Sequence, residues 1–208
     1  MLEQTGEVSV RQRLMDSAVL LFTTRGYAAT SVREIVEMAG VTKPALYYHF
    51  DSKEGIYLAI LEDLVKIADE GIAASRVATG TARERLEGFL LGVYGLFEAK
   101  KSWVRMINAV FWGPAQGAPP FDFETFHRKM LTVLSEIVTE GIAAGEIRAA
   151  DPDDVTLTLM GVLSFNMDLA LAHPEIGLGR DGFRRVLDLL FSGVAAPATS
   201  PMHQETSR

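Results

Sequence analysis

Between Ser31 and Lys53 the chain collects Arg33, Lys43, Pro44, Ala45, Tyr47, Tyr48 and His49, most of them in the segment KPALYYH. A soluble core has no use for that mixture, but a DNA duplex does. Cations and hydroxyls suit phosphate oxygens, a guanidinium pairs with guanine, and small apolar faces fit thymine methyls. A more ordinary reading of Tyr47, Tyr48 and His49 makes them half-buried residues of a helix hairpin. Ile35, Val36, Ala39, Leu46 and Phe50 fall at helical spacing between the polar residues and can seal a small core with a preceding helix. Ala39-Gly40 allows a tight turn between two short helices, at about 32–38 and 43–49. A helix, tight turn and second helix of this kind place a reading helix in the major groove.

The elements that position these residues are helices throughout, since no run alternates with a strand's period of two. Helix starts are legible. Ser9 with Gln12, Ser31 with Glu34, and Thr81 with Glu84 match the capping box, and Asp51 with Glu54 is a looser version. Thr42 precedes Lys43-Pro44, and Asp151 precedes Pro152, each a cap followed by proline in the first turn. From these starts we expect about nine helices: roughly 9–25, 32–38, 43–49, 53–77, 82–99, one around 103–111, 121–144, 152–172 and 181–194. The Gly- and Pro-rich stretch 113–120 interrupts the chain. Residues 196–208 lack apolar periodicity and read as a disordered tail. The expected organisation is a head at 8–53 and a body at 54–195.

The 208 residues carry a net charge of -7, which argues against a generally basic nucleic-acid binder. The distribution differs from the sum. Arg11 to Lys53 holds six basic and four acidic residues, so the head is mildly positive on an acidic body. Cysteine is absent, which removes disulfides and thiolate metal sites. No secretory signal is visible, and the apolar stretch 155–172 contains Asn166 and Asp168, so a soluble cytoplasmic protein without a membrane span is expected. The four histidines stand far apart, and neither a nucleophile elbow nor a phosphate loop is present, so no catalytic residue, metal site or cofactor is expected.

The pattern Ser31-x-Arg33-x-Ile35-x-x-x-Ala39-Gly40-Val41-Thr42-Lys43-Pro44-Ala45-Leu46-Tyr47-Tyr48-His49-Phe50-x-x-Lys53 resembles the signature of the tetracycline-repressor (TetR) family. The resemblance covers roughly residues 10–60, with Val36 standing where a small alanine is common. It implies an all-α protein with a three-helix DNA-binding head and a C-terminal ligand-binding and dimerisation domain. By position, Arg33, Lys43, Pro44, Ala45 and Tyr47 would face bases, while Ser31, Tyr48, His49 and Lys53 would hold phosphates, with Thr42 on the same surface. The implied function is a repressor released from its operator DNA by a small-molecule effector.

The body supplies candidates for the remaining roles. Trp103, Met106, Phe111, Phe123, Phe126, His127, Met130, Phe165 and Asn166 form an aromatic, methionine-rich set suited to an apolar ligand, with Asn108 and Asp168 as further polar groups. Each taken singly could equally be core. The helix at 152–172 is apolar nearly all round, and the helix at 181–194 shows a stripe of Phe183, Val186, Leu187, Leu190, Phe191 and Val194. Together they could form a homodimer face, or simply complete the core of one subunit. The long helix 53–77 joins head to body and is the natural lever. A helical carrier for a hydrophobic ligand, without DNA, is the alternative function.

Overall fold

The computed structural model describes residues 9–111 and 117–193; the expected tail at 196–208 and part of the Gly/Pro break lie outside them. Among the described residues there are nine helices and no strand: α1 Val10–Arg25, α2 Val32–Ala39, α3 Lys43–Phe50, α4 Lys53–Arg76, α5 Ala82–Ala99, α6 Lys101–Phe111, α7 Phe123–Ala143, α8 Pro152–Ala172 and α9 Gly179–Ser192.

Local chemistry sets most of the boundaries. Ser31 and Glu34 close a full capping box on α2, and Thr81 and Glu84 another on α5. Ser9 caps α1 through the Gln12 N–H, but the Gln12 amide donates to Asp16 instead of reaching back. Thr42 accepts from the Ala45 N–H to open α3, and Asp151 accepts from the Asp153 N–H to open α8. The Asp51–Glu54 box does not form. Asp51 ends α3 at φ 60°, and the hydroxyl of Ser52 caps α4 by accepting from the Gly55 N–H. This sharp reversal brings the chain so close that a methyl group on Gly55 would lie 1.8 Å from the Phe50 carbonyl oxygen. Asp122 caps α7, which therefore starts two residues later than the sequence suggests. α9 begins at Gly179 without a side-chain cap.

Two cores result. The first joins Leu14, Phe22, Ile35, Leu46 and Phe50 of α1–α3 to Ile56, Tyr57, Ile60 and Leu61 of α4, and to Trp103 and Met106 of α6. At about 1.5–3 kcal/mol for each large side chain removed from water, these shared residues bind head to body firmly. The expected division after Lys53 therefore cuts through a continuous core. The second core unites α5, α7, α8 and α9 through Leu90, Tyr94, Leu134, Ile137, Leu163, Phe183 and Leu187, with Tyr94 and Phe183 stacked at 4.7 Å.

The described part of the α9 stripe turns inward: Phe183 and Leu187 are buried facing α5, and Leu190 and Phe191 pack half-buried against the same core, whereas Leu189, beside the stripe, is exposed. Length and composition would let α8 cross a membrane. Here it lies against α7 and α5, burying Thr156, Leu159, Leu163, Asn166 and Ala170. Its other side, with Leu157, Gly161 and Phe165, is exposed.

Candidate nucleic-acid interface and effector cavity

In α3 the buried residues are Leu46 and Phe50, spaced i, i+4, and everything between them turns outward. Lys43, Pro44, Tyr47, Tyr48 and His49 are exposed, and Ala45 is half-buried. Tyr48 is 85% exposed, with its ring 5.0 Å edge-on to His49. A partner surface that covers these exposed amphipathic rings is the simplest explanation for placing them in a row. α2 adds Ser31 and Arg33.

These α2 groups are occupied within the chain. The Ser31 hydroxyl donates to Glu34 at 2.8 Å, and Arg33 Nε donates to Glu37 at 2.7 Å in an exposed i, i+4 pair. An exposed pair of this kind exchanges readily for a phosphate or a guanine. Thr42 spends a lone pair on its cap.

Lys53 is placed differently from its expected role. Its half-buried ammonium donates to the carbonyl oxygens of Tyr27 and Thr30, both at 2.9 Å, and lies 4.2 Å from the centre of the Tyr27 ring. Burial holds its pKa below the ordinary lysine value. The geometry makes Lys53 a clamp on the α1–α2 loop, which fixes the angle of the reading helices. It does not extend over the surface as a phosphate ligand would.

In the body, helices α4 to α8 enclose a cavity of about 270 Å³. Its walls are Leu61, Leu64 and Ala68 of α4, Val93 and Leu96 of α5, Val104, Ile107 and Asn108 of α6, Phe123, Phe126, His127 and Met130 of α7, and Met160, Ser164, Met167 and Asp168 of α8. It is apolar with a few polar groups, the usual constitution of a small-molecule site.

Four expected ligand residues are brought together there: Phe123, Phe126, His127 and Met130. Four are not. Trp103 and Met106 are buried against α1 in the head's core. Phe165 points outward at 66% exposure. Asn166 is buried, but its amide donates to the Val162 carbonyl at 2.7 Å within its own helix. The Phe111 side chain lies outside the described residues. Asn108 and Asp168 take the polar positions. The aliphatic walls from α4 and α5 carry no mark in the sequence beyond ordinary helical periodicity.

Head and cavity share two struts. α4 runs from the first core along the cavity wall, and Arg11 of α1 grips its Asp63 with two bonds of 2.8 and 3.2 Å. α6 presents Trp103 and Met106 to α1 and, on a neighbouring face, Val104, Ile107 and Asn108 to the cavity. The described residues contain no group of three or more His, Cys, Asp or Glu side chains arranged to hold a metal ion.

Comparison with known proteins places this geometry. Residues 14–60 match the family of bacterial regulatory proteins described as the tetR family. The chain is 35% identical over 97 residues to the HTH-type transcriptional activator FasR of Mycolicibacterium smegmatis, a match covering 47% of this chain and 44% of that one. It is 28% identical over 144 residues to the HTH-type transcriptional repressor KstR2 of the same species, covering 67% and 68%. The match therefore spans under half the length of FasR and about two thirds of KstR2. The structure superposes on the transcriptional regulator FadR from Bacillus subtilis, solved in complex with stearoyl-CoA, with a TM-score of 0.62 at 21% identity, covering 88% of this chain and 98% of that one. The reading helix, its clamped partner and the match at residues 14–60 agree, and this head segment is that of the tetR family of bacterial regulatory proteins.

Proposed function

We propose that this protein is a dimeric transcriptional repressor that reads operator DNA with α3 and releases it when an apolar small molecule fills the cavity between α4 and α8. The observation that carries the reading is the outward row of Lys43, Pro44, Tyr47, Tyr48 and His49 on a helix otherwise anchored by Leu46 and Phe50. Lys43, Pro44, Ala45, Tyr47 and Arg33 are the groups offered to bases; Ser31, Thr42, Tyr48 and His49 flank them toward phosphate. Backbone N–H groups at the start of α3 add to that attraction.

The sense of regulation is proposed, since one relative is named an activator and the other a repressor. Release follows from the two struts. A ligand between Leu64, Val104, Ile107 and Phe126 presses on both α4 and α6, and both are rooted in the head's core. Two heads in a dimer must span successive major grooves about 34–36 Å apart, so a few ångströms of displacement break one contact. A differential affinity of about 1–3 kcal/mol suffices, and DNA must weaken the ligand equally. Nothing in the cavity suggests turnover; the protein acts in the cytoplasm by binding.

The test is binding to DNA flanking the protein's own gene, across a salt series, with scrambled DNA as control. A preference with a steep negative log–log slope supports the reading. Tyr47→Ala and Lys43→Ala should each cost about 1–3 kcal/mol of specific affinity while leaving ligand affinity alone. A folded protein with no DNA preference and intact ligand binding would be a carrier instead.

A further inference from the structure

The central cavity continues into a second one. That second space, about 490 Å³, lies between α4, α5 and α7 and shares Ala68, Val93, Leu96, Phe126 and Met130 with the first. Along α4 the joined walls run from Leu61 to Ser75, about 21 Å at a helical rise of 1.5 Å per residue. The whole is long and narrow, with its two ends in different chemical surroundings.

Three glycines keep the second part open. Gly71 of α4 and Gly88 and Gly92 of α5 line it, and a methyl group on any of them would meet no atom within 4 Å. Glycine weakens a helix interior relative to alanine, and a close helix contact is the common reason to accept that. No such contact exists at these three positions, in contrast to Gly141, where an added methyl would lie 2.5 Å from the Ala82 side chain. The three glycines, all exposed, line a slot between α4 and α5 that is open to water along this edge.

At the outer end of the slot stands Arg85. Its Nη1 donates to Glu140 at 2.6 Å, but its Nε is buried without a partner. Thr79, Ser75, whose hydroxyl donates to the Ile72 carbonyl at 2.8 Å, and the carboxylate residue Glu84, which accepts from Thr81, line the same end. At the far end, on the exposed rim of the central cavity, stands the carboxylate residue Asp168. The buried, unpartnered Nε of Arg85 is the donor that an anion meets at the first end, whereas the carboxylate of Asp168 repels one at the second.

We propose that the effector is a long unbranched amphiphile whose anionic headgroup sits at Arg85 and whose chain runs past Gly71, Gly88 and Gly92 into the central cavity. The inference rests on the effector reading above and specifies its ligand. A compact aromatic molecule would fill only the central part and leave the slot empty. The negative charge can belong to a free carboxylate or to the phosphates of a thioester carrier.

The test uses the full chain with octanoate, hexadecanoate, hexadecanol and hexadecanoyl-CoA in titration calorimetry, alongside release of the DNA flanking its gene. Hexadecanoate should bind at least tenfold more tightly than octanoate. Gly88→Leu, which fills the slot on an exposed part of α5, should weaken both acids at least tenfold without altering DNA binding. Met160→Trp, which fills the far end, should weaken hexadecanoate and spare octanoate. Arg85→Gln should weaken hexadecanoate but not the uncharged hexadecanol. Tighter binding of the thioester than of the acid would assign the anion to its phosphates. Equal affinity for the two acids, an unaffected Gly88→Leu variant, or no binding by any chain would overturn the proposal. If a compact aromatic compound then released the DNA, the regulator reading would stand alone; loss of sequence-preferring DNA binding in the unliganded protein would overturn that reading instead.

Discussion

Gly55 and Lys53 show how much of the head rests on single groups. The α3–α4 reversal leaves 1.8 Å between a Cβ at position 55 and the Phe50 carbonyl oxygen, and that oxygen belongs to backbone that cannot rotate away. Gly55→Ala should cost about 1–3 kcal/mol by urea denaturation, as overpacking does elsewhere, whereas Gly88→Ala, in open space, should stabilise by about 0.5–1 kcal/mol. Lys53 makes a different test. If its ammonium serves the Tyr27 and Thr30 carbonyls, Lys53→Met should lower stability by about 1.5 kcal/mol. The slope of log affinity against log salt should stay unchanged, while a lost phosphate contact would reduce it by nearly one unit. The motif places Lys53 correctly in sequence, but its partners lie 26 and 23 residues earlier, across a loop whose path no local pattern encodes. Trp103 and Met106 stand three residues apart, the spacing of one helix face, which suits a ligand wall and a core equally. Spacing says that a face is buried, and only the docking of α6 on α1 says against what.

At the scale of the helix the sequence is a better guide, because caps are local. Ser31 with Glu34 and Thr81 with Glu84 close as their spacing requires, and the helices that follow begin where expected. The Asp51–Glu54 pair fails because the positive φ of Asp51 turns the chain, and Ser52 takes over the cap. The two closed boxes carry a pH signature. Glu34 accepts from the backbone N–H and the hydroxyl of Ser31, both at 2.8 Å, and is further drawn down by Arg25, so its pKa lies below the ordinary glutamate value. Glu84 is lowered in the same way by Thr81. A carboxylate whose pKa falls on folding stabilises the fold fully above its unfolded value, about 4.3, and progressively less as the pH drops through the lower folded value. Thermal stability should therefore hold from neutrality to about pH 5 and decline below about pH 4. Glu34→Gln, which keeps the box but not the charge, should flatten part of that acid limb in a melting-temperature profile. An unchanged acid limb would mean that other carboxylates govern it.

The whole molecule is where the exposed side of α8 must be explained. Leu157 and Phe165 are eight residues apart, and Gly161 lies midway, so they form one stripe on the side of the helix away from Leu159 and Leu163. Leaving rings and aliphatic chains of that size in water is unfavourable, and a second copy of the chain covering them through a two-fold axis is the economical solution. Leu189 on α9 is exposed as well, so the contact can involve both helices. The sequence showed the apolar surplus of α8 but could not apportion it, since a helix apolar on all sides may be buried wholly within one subunit or shared between two. The fold separates the shares: Leu159, Leu163 and Ala170 inward, Leu157 and Phe165 outward. Phe165→Asp should therefore yield a folded monomer in sedimentation, with unchanged helicity. Its affinity for a palindromic operator should fall about 100-fold or more, because two heads held together act at high effective concentration and one does not. A single head should still bind a half-site as the parent head does. If the variant remained dimeric, the interface would have to lie elsewhere, and the spacing of the two reading helices would need to be derived from that other face.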